Sequence, residues 1–507
     1  MKGVVAAGHP LTAQAGADVL RSGGNAVDAA VAAVLMSFVC ESPLTGPGAG
    51  GFMLVHTPDG EDVLLDFFVA APGRGLDRLE PAPLMPIDVE FSKEAVQVFN
   101  IGPSSCGAYG TTLGLAHALE RFGSVPLSAL VERPARAARE GVEINDIQSY
   151  LHKILGPILS STPEAAAIYE PKGRPLRPGE TIYLPALGDL LERLGAEGPG
   201  FLYTGDVGAA ASNWLLERGG LLTRDDLAAY EPIEREPVRA RYHGRDVLTN
   251  PPPSSGGILI AHSLNLLERL GRRPDPRTLV GVMARTNRER TEEFLSGLHS
   301  EGYLESFLAH EALDSAAREV GSRLGSTTHI SVLDDRGRCA SVTCSNGSSS
   351  GVIVPGTGLH LNNMLGEQDL NPHGYHRHEP GRRLPSMMAP TVVLRDGRPE
   401  IGLGSAGSNR IRSAIIQTAL ASVNDGLPAQ AAVEAPRLHL EEAVVDAEPG
   451  IDPAGLDALE ADGWTVRRWR ERNLFFGGVQ AVARDPETGA LSGGGDPRRG
   501  GAAIVVA

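Results

Sequence analysis

Hydrophobic positions recur with helical spacing over much of the first 270 residues. Residues 11 to 21 and 26 to 40 form the first two predicted helices, and residues 22 to 25 between them combine a helix stop with an N-cap. The other helices predicted in this part cover residues 113 to 122, 127 to 140, 184 to 194, 222 to 230 and 258 to 270. The middle of the chain is therefore expected to be mostly helical.

Beyond residue 326 the pattern changes to one typical of strands. Residues 328 to 333 and 339 to 344 flank a turn and predict a β-hairpin. Further strands are predicted over residues 391 to 394, 400 to 404, 479 to 483 and 502 to 506, with a helix over residues 411 to 423. Helical and strand segments in this arrangement predict an α+β fold in which helices cover a sheet core.

Two segments rich in glycine and proline interrupt this pattern. Residues 46 to 51 lead into an apolar strand at residues 52 to 55, whereas a phosphate loop must be followed by a helix. Close backbone packing is therefore the preferred interpretation of these glycines. Residues 250 to 257 contain three prolines and two glycines and precede the helix at residue 258, so they predict a shaped loop and not a domain linker.

Composition and charge exclude several classes of protein. The chain has 507 residues, 42% of them hydrophobic, which is enough for a large core. Its net charge of −16 argues against nucleic acid or an anionic membrane surface as a partner. The longest apolar stretch, residues 26 to 40, is shorter than the roughly 20 residues that a membrane span requires. The first ten residues lack the features of a signal peptide, so a cytoplasmic location is expected.

Neither a metal nor another cofactor is expected. The cysteines have no CxxC spacing and predict small buried side chains instead of a disulfide framework. His373, His376 and His378 lie close together and suggest zinc, but their loop is rich in proline, glycine and arginine and has no cysteine or acidic residue at a known metal spacing. A solvated loop is the preferred interpretation.

Five separated segments carry the functional signal. Thr327 at the head of a predicted strand proves little alone, because threonine is common there. The segments are GNAVDAAVA at 24 to 32, GGFML at 50 to 54, PPPSSGG at 251 to 257, TTH at 327 to 329 and GSAGSNRI at 404 to 411. In order and spacing they resemble the gamma-glutamyltransferase (glutathione hydrolase) family over nearly the whole chain.

The resemblance implies the four-layer αββα sandwich of the N-terminal nucleophile hydrolases. It implies a zymogen that cuts itself between Ser326 and Thr327, giving a heterodimer of a large subunit, residues 1 to 326, and a small subunit, residues 327 to 507, in one folded body. The freed Thr327 would be the nucleophile, with its own α-amine, of pKa about 8, as the base.

The resemblance also assigns roles to residues near the nucleophile. Ser345 stands at the place of a second hydroxyl that assists the cut. Gly407 and Ser408 match the two adjacent glycines whose backbone N–H groups form the family's oxyanion hole, and a backbone donor survives the change to serine if the backbone conformation is kept.

The pocket for the substrate departs from the family. The family holds the α-carboxylate of a gamma-glutamyl group with the arginine of a DFRExAP stretch, whereas this chain reads DFFVAAP at residues 66 to 72 and has Phe68 instead. The other residues matched to that pocket are Gly347, Met364, Glu367, Ser386 and Met387. Only two of these keep polar character, so a charged donor is expected to bind poorly. The predicted enzyme is an amidohydrolase or acyltransferase acting on a small molecule with a different acyl group.

Three other hypotheses stay open. The chain could be a genuine glutathione hydrolase with a rebuilt pocket, a hydrolase of a C–C bond next to a carbonyl in secondary metabolism, or an inactive scaffold. Retention of Thr327, Ser345 and the turn at Gly407 argues against the scaffold. The same nucleophile and oxyanion hole serve amide and C–C cleavage alike.

Overall fold

The structure is a computed structural model that describes residues 1–77, 80–92, 95–271, 273–300, 302–309 and 327–507. The strands are β1 Gly3–Ala7, β2 Gly50–His56, β3 Asp62–Phe67, β4 Met85–Ser92, β5 Ala95–Ile101, β6 Val142–Glu143, β7 Thr181–Ile182, β8 Ile233–Arg235, β9 Val238–Tyr242, β10 Arg245–Thr249, β11 Thr328–Asp334, β12 Cys339–Ser345, β13 Thr391–Arg395, β14 Arg398–Ala406, β15 Leu438–Glu441, β16 Val444–Ala447, β17 Thr465–Arg468, β18 Gly478–Arg484, β19 Leu491–Gly495 and β20 Ala502–Val506.

The helices complete the inventory of regular elements. They are α1 Pro10–Arg21, α2 Ala26–Cys40, α3 Thr111–Phe122, α4 Leu127–Glu140, α5 Asp146–Ile154, α6 Gly156–Leu159, α7 Pro163–Tyr169, α8 Pro185–Glu197, α9 Asp206–Leu216, α10 Arg224–Ala228, α11 Ser255–Leu270, α12 Pro276–Arg288, α13 Glu292–Gly297, α14 Tyr303–Ala309, α15 Arg410–Val423, α16 Ala429–Glu434 and α17 Pro453–Ala461. Most predicted elements are confirmed, with ends shifted by a few residues.

Two antiparallel sheets form the centre of the fold. The first has the strand order β20-β1-β11-β12-β2-β3-β8, and the second has the order β19-β18-β14-β13-β10-β9. Strands β11 and β12 of the first sheet pack on β14 of the second, and β11 also packs on β18. Helices α1 and α2 cover the outer face of the first sheet, and α11, α15 and α16 cover the second. The predicted four-layer αββα sandwich is confirmed.

Helix α2 illustrates why the sequence forms these layers. All of its residues are buried, and a capping box between Asn25 and Asp28 satisfies the backbone at its start. The buried Asp28 carboxylate also accepts hydrogen bonds from the backbone N–H and the hydroxyl of Ser124, at 2.8 and 2.6 Å. A buried charge is tolerated because hydrogen bonds replace its lost water. In the described part of the chain no helix is long and apolar enough to cross a membrane.

The neighbouring strands β11, β12, β2 and β3 of the first sheet have one end each on the same side of the sheet. Thr328 pairs with Cys344, Ser345 pairs with Gly50, and Gly51 pairs with Phe67. A Cβ at position 51 would lie 2.4 Å from the carbonyl oxygen of Thr343, so the predicted close packing of these glycines is confirmed. Residues just outside these ends, Thr327 and Phe68, are therefore brought to the same place although they are far apart in sequence.

The cysteines behave as predicted. Cys40, Cys106, Cys339 and Cys344 are buried and have free thiols. The three histidines that suggested zinc have other partners: His376 and His378 contact the backbone carbonyls of Ser104 and Leu370, and His373 lies 3.1 Å from a carboxylate oxygen of Glu292.

Candidate active site

A cavity of about 370 Å³ lies at this end of the sandwich, and we call it the acyl cavity. Nine of the ten residues singled out from the sequence line it, namely Phe68, Thr327, Ser345, Gly347, Met364, Glu367, Ser386, Met387 and Ser408. The tenth, Gly407, directly precedes Ser408. The structure therefore brings together residues drawn from both halves of the chain.

Thr327 and Ser345 form the hydroxyl pair of this cavity. The Thr327 hydroxyl lies 3.5 Å from the Ser345 hydroxyl, and both side chains are at least 95% buried. The backbone N–H of Gly347 donates to the Ser345 hydroxyl at 2.8 Å, which fixes its orientation. Ser326, on the other side of the expected cut, lies outside the described residues.

The turn at Gly407 and Ser408 connects β14 to α15. Both residues have positive φ angles, +121° and +53°, and for a serine this conformation is unusual. The Ser408 hydroxyl donates to the Asp369 carboxylate at 2.7 Å, which stabilises the turn. The carbonyls of Gly407 and Ser408 accept from the N–H groups of Arg410 and Ile411. Ser408 thus adopts a backbone conformation that glycine takes more readily than any other residue.

Gly347 occupies a position with no room for a side chain. Its φ is +72°, and a Cβ there would lie 2.0 Å from Oδ1 of Asn363 and 3.1 Å from Oε1 of Glu367. A side chain at this place would collide with Asn363 and crowd Glu367, and its backbone would be strained at this positive φ. Gly347 therefore contributes a surface of bare backbone to the cavity.

Phe68 supplies an apolar wall. Its ring is fully buried and stacks on Phe52, with ring centroids 5.1 Å apart and an interplanar angle of 21°. Its backbone is held at both ends: the N–H donates to Asp66, and the carbonyl accepts from the Tyr230 hydroxyl at 2.6 Å. This anchoring fixes the ring in the cavity.

Ser386 and Met387 are positioned by the loop at residues 251 to 257. The carbonyl of Ser386 accepts from the N–H groups of Ser255 and Gly256 and from the Ser254 hydroxyl at 2.8 to 3.0 Å. A Cβ at position 256 would lie 2.2 Å from the Met387 carbonyl oxygen, so a glycine is required there. This loop is the shaped loop predicted from the sequence, and its role is to support the cavity wall.

Two carboxyl groups line the cavity, Glu367 and Asp369. Burial raises the pKa of Glu367 to about 8, and the neighbouring Asp369 carboxylate adds to the rise, while hydrogen bonds from Ser348 and Asn363 oppose it. Burial also raises the pKa of Asp369, against the opposing charge of Arg290. Among the described lining residues there is no lysine, arginine or histidine. No described lining residue therefore supplies a positive charge to the cavity.

The comparison with known proteins agrees with this geometry. Residues 12–506 match the family model described as Gamma-glutamyltranspeptidase. The chain belongs to the gamma-glutamyltranspeptidase family. It is thus an enzyme of a family of hydrolases and acyltransferases that process themselves from a precursor.

Similar proteins of the gamma-glutamyltranspeptidase family are named for different activities. The chain is 30% identical to the glutathione hydrolase proenzyme of Escherichia coli, over 98% of this chain and 90% of that protein. It is 30% identical to the acylase ACY 1 proenzyme of a Pseudomonas species, over 100% of this chain and 94% of that protein. The crystal structure of cephalosporin acylase from Bacillus halodurans superposes with a TM-score of 0.83 at 25% identity, covering 99% and 95% of the two chains. The fold is that of the N-terminal nucleophile hydrolases.

Sequence reasoning missed four lining residues of this family member, Asp369, Leu370, Met388 and Ile411. Two of them adjoin or nearly adjoin predicted site residues: Met388 follows Met387, and Asp369 stands two residues after Glu367. Their closeness in sequence to predicted site residues could have identified them as residues that line the cavity. The bond from Ser408 to Asp369 had no sequence signal, because it joins two separate loops.

The raised pKa of Glu367 predicts how stability depends on pH. The pKa of Glu367 is 4.5 in the unfolded chain and about 8 in the folded chain. The stability that its protonated form contributes is therefore fully present below about pH 4.5 and is lost as pH rises through 8. In the uncut Thr327→Ala background, Glu367→Gln should therefore gain in melting temperature over the parent between pH 5 and 9, by roughly 2 °C or more. If the melting temperatures of the two proteins instead change in parallel across this pH range, Glu367 is ionised throughout and the prediction is wrong.

Proposed function

We propose that this protein is a self-processing N-terminal threonine hydrolase or acyltransferase that cleaves an amide-type bond next to an uncharged acyl group, not a gamma-glutamyl group. Self-cleavage between Ser326 and Thr327 would give subunits of residues 1 to 326 and 327 to 507. The observation that carries the proposal is the acyl cavity itself, which adjoins Thr327 and has two carboxyl groups but no cation among its described lining residues.

Electrostatics disfavours a gamma-glutamyl donor. Such a donor carries an α-carboxylate, which is stabilised in a buried site only by a counter-charge. Here the carboxylate would lie beside the Phe68 ring and the carboxyl groups of Glu367 and Asp369. At neutral pH the protonated form of Glu367 is favoured, so this residue offers a hydrogen bond but no positive charge.

The apolar lining favours a compact hydrophobic acyl group. The apolar side chains of the cavity are Phe68, Met364, Leu370, Met387, Met388 and Ile411. Three of them are methionines, whose flexible thioethers adapt to irregular ligands and contact aromatic rings favourably. An aromatic or short aliphatic acyl group suits this space.

The chemistry follows from the residues around Thr327. In the precursor the Thr327 hydroxyl would attack the carbonyl of Ser326, assisted by the Ser345 hydroxyl 3.5 Å away, and water would hydrolyse the resulting ester. In the mature enzyme the freed α-amine accepts the hydroxyl proton as Thr327 attacks the substrate carbonyl. The N–H groups of Gly407 and Ser408 would stabilise the oxyanion. The intermediate collapses as the C–N bond breaks, and the amine leaves with the proton that the α-amine had accepted. Water or an acceptor amine then takes the acyl group from Thr327.

Some relatives are consistent with a substrate other than glutathione. One similar protein is named an acylase, and another is a cephalosporin acylase with the same fold over nearly the whole chain. An apolar acyl cavity is consistent with an acylase. The glutathione hydrolase relative from Escherichia coli is equally similar in sequence, so the cavity and not the overall identity separates the alternatives.

A pair of chromogenic anilides tests the proposal. Phenylacetyl 4-nitroanilide should be hydrolysed with a kcat/KM at least about 100-fold above that of gamma-glutamyl 4-nitroanilide, because only the first fits a cavity without a cation. Release of nitroaniline is followed by absorbance, with the Thr327→Ala chain as the blank.

Faster turnover of the gamma-glutamyl anilide would instead establish a glutathione hydrolase with a rebuilt pocket. A matured protein that cleaves neither anilide would overturn the proposed acyl group.

A further inference from the structure

A second cavity borders Thr327, and among the described residues only Thr327 lines both this cavity and the acyl cavity. Its volume is about 510 Å³, and its walls come from the ends of β1 and α2, the start of α5 and the segment after β19. It is partly open where Asn145, Ile147 and Arg499 are only partly buried. The nucleophile therefore stands between two separate spaces, and the acyl group can occupy only one of them.

Most ionisable groups of the second cavity are neutral. Burial lowers the pKa of His9 and of His152 to about 4, and that of His329 to about 3. Burial raises the pKa of Glu41, whose carboxyl group accepts hydrogen bonds from the hydroxyls of Thr12 and Thr328 at 3.0 and 2.5 Å.

Arg499 keeps its charge in this cavity. Burial lowers its pKa only to about 10, so the guanidinium stays protonated at neutral pH. Among the described residues no carboxylate lies within 4 Å of it, and its buried Nε has no hydrogen-bond partner. Two acidic groups act on Arg499 from more than 4 Å away, Glu41 and Asp496. Asp496 pairs with Arg498, and Glu41 accepts hydrogen bonds from two threonine hydroxyls. Arg499 is thus a partly buried cation that no described carboxylate contacts.

Two further observations place this cation beside the reaction. A Cβ at Gly407 would lie 3.5 Å from Nη2 of Arg499, so the guanidinium reaches the turn proposed as the oxyanion hole. His152, 97% buried, lines the same cavity, and its Nδ1 has no partner among the described residues. Unpaired polar groups that are buried in one cavity cost free energy unless a ligand satisfies them.

We propose that the second cavity binds a carboxylate on the amine side of the substrate, the part that leaves from or accepts the acyl group on Thr327, with Arg499 as its counter-charge. The proposal rests on the function of Thr327 proposed above. A guanidinium matches the planar geometry of a carboxylate and binds it with two parallel hydrogen bonds. The substrate class is then an amide between an uncharged acyl group and an amine that carries a carboxylate, such as an N-acyl amino acid or an N-acyl aminobenzoate.

Two anilides with the same acyl group test the site. Phenylacetyl 3-carboxy-4-nitroanilide and phenylacetyl 4-nitroanilide differ only in the carboxylate of the leaving amine. We expect kcat/KM to favour the carboxylated anilide by about 10-fold or more in the wild type, and this ratio to fall to near one in Arg499→Gln. Arg499→Lys, which keeps the charge but loses the planar fork, should give an intermediate ratio.

Arg472→Gln is the matched control. Arg472 is an exposed arginine of the same subunit, so its replacement should keep the wild-type ratio. Equal losses on both anilides in Arg499→Gln would mean that Arg499 only supports the turn at Gly407, and this would overturn the carboxylate site. Intact mass checks that each variant has matured.

Calorimetry tests the site without any turnover. On the mature wild-type protein, 3-aminobenzoate should bind about 10-fold more tightly than 3-aminobenzamide, and Arg499→Gln and Arg499→Lys should reduce this preference. Equal binding of the two amines to the wild type would overturn the proposal. If 3-aminobenzoate binds more tightly than 3-aminobenzamide but neither anilide is cleaved, the acyl group proposed above is wrong and the Arg499 site stands.

Discussion

Thr327→Ala is expected to leave a single uncut chain of 507 residues and to lower kcat by about 10⁴-fold or more. Loss of the hydroxyl removes the nucleophile of self-cleavage and of substrate turnover at once. Intact-mass measurement of the wild type should show two fragments that correspond to residues 1 to 326 and 327 to 507. The same measurement on the variant should show one mass.

Thr327→Ser is the matched control for this experiment, because it keeps a hydroxyl on the same backbone. It should still mature, more slowly, and retain part of the turnover. Maturation of Thr327→Ala at the same bond would contradict the mechanism. A wild-type protein that remains one chain would contradict the self-processing.

Phe68→Arg is expected to reverse the substrate preference. The guanidinium would take the place of the ring in the acyl cavity, beside the carboxyl groups of Glu367 and Asp369. Loss of the apolar wall should lower kcat/KM for phenylacetyl 4-nitroanilide by about 100-fold, and the new cation should raise kcat/KM for the gamma-glutamyl anilide by about 10-fold. Steady-state kinetics on the two anilides measures both changes.

Phe68→Leu separates charge from volume. It shortens the wall without adding a charge, so it should weaken turnover of the phenylacetyl anilide and leave the gamma-glutamyl anilide unimproved. The two carboxyl groups nearby are also the reason why an arginine is tolerated at a buried position, since an unpaired charge there would destabilise the fold. If Phe68→Arg melts like the wild type but gains no activity on the gamma-glutamyl anilide, the residue is not the determinant of acyl specificity.

The sequence predicted long, well-delimited elements accurately. Helix α4 has its predicted ends, because Pro126 and Gly141 bound a strongly amphipathic segment. The hairpin of β11 and β12 was found from two strand-like segments that flank a turn. Strands β9 and β10 were missed although β9 alternates between buried and exposed residues, because arginines on the exposed side masked a short pattern. Short helices such as α6 offer too few residues for any periodicity to appear.

The sequence predicted which residues belong to the site, but not the contacts that hold them in place. Family resemblance identified Phe68 and Thr327 as neighbours, and strand pairing explains why residues so far apart in sequence meet. The reason for glycine at position 347 is a collision with Asn363, and the reason that Ser408 can keep a positive φ is its bond to Asp369. Both reasons are tertiary contacts between separate loops, so no pattern in the local sequence predicts them.

The strand order of the first sheet has a consequence for the proposed mature enzyme. After a cut before Thr327, the sheet would alternate between the products: β11 and β12 of the small subunit lie between β1 and β2 of the large one, and β20 flanks β1 on the other side. Separating the two chains would break backbone ladders through the centre of the core. Dissociation and unfolding would then be a single event, and dilution would not yield free subunits.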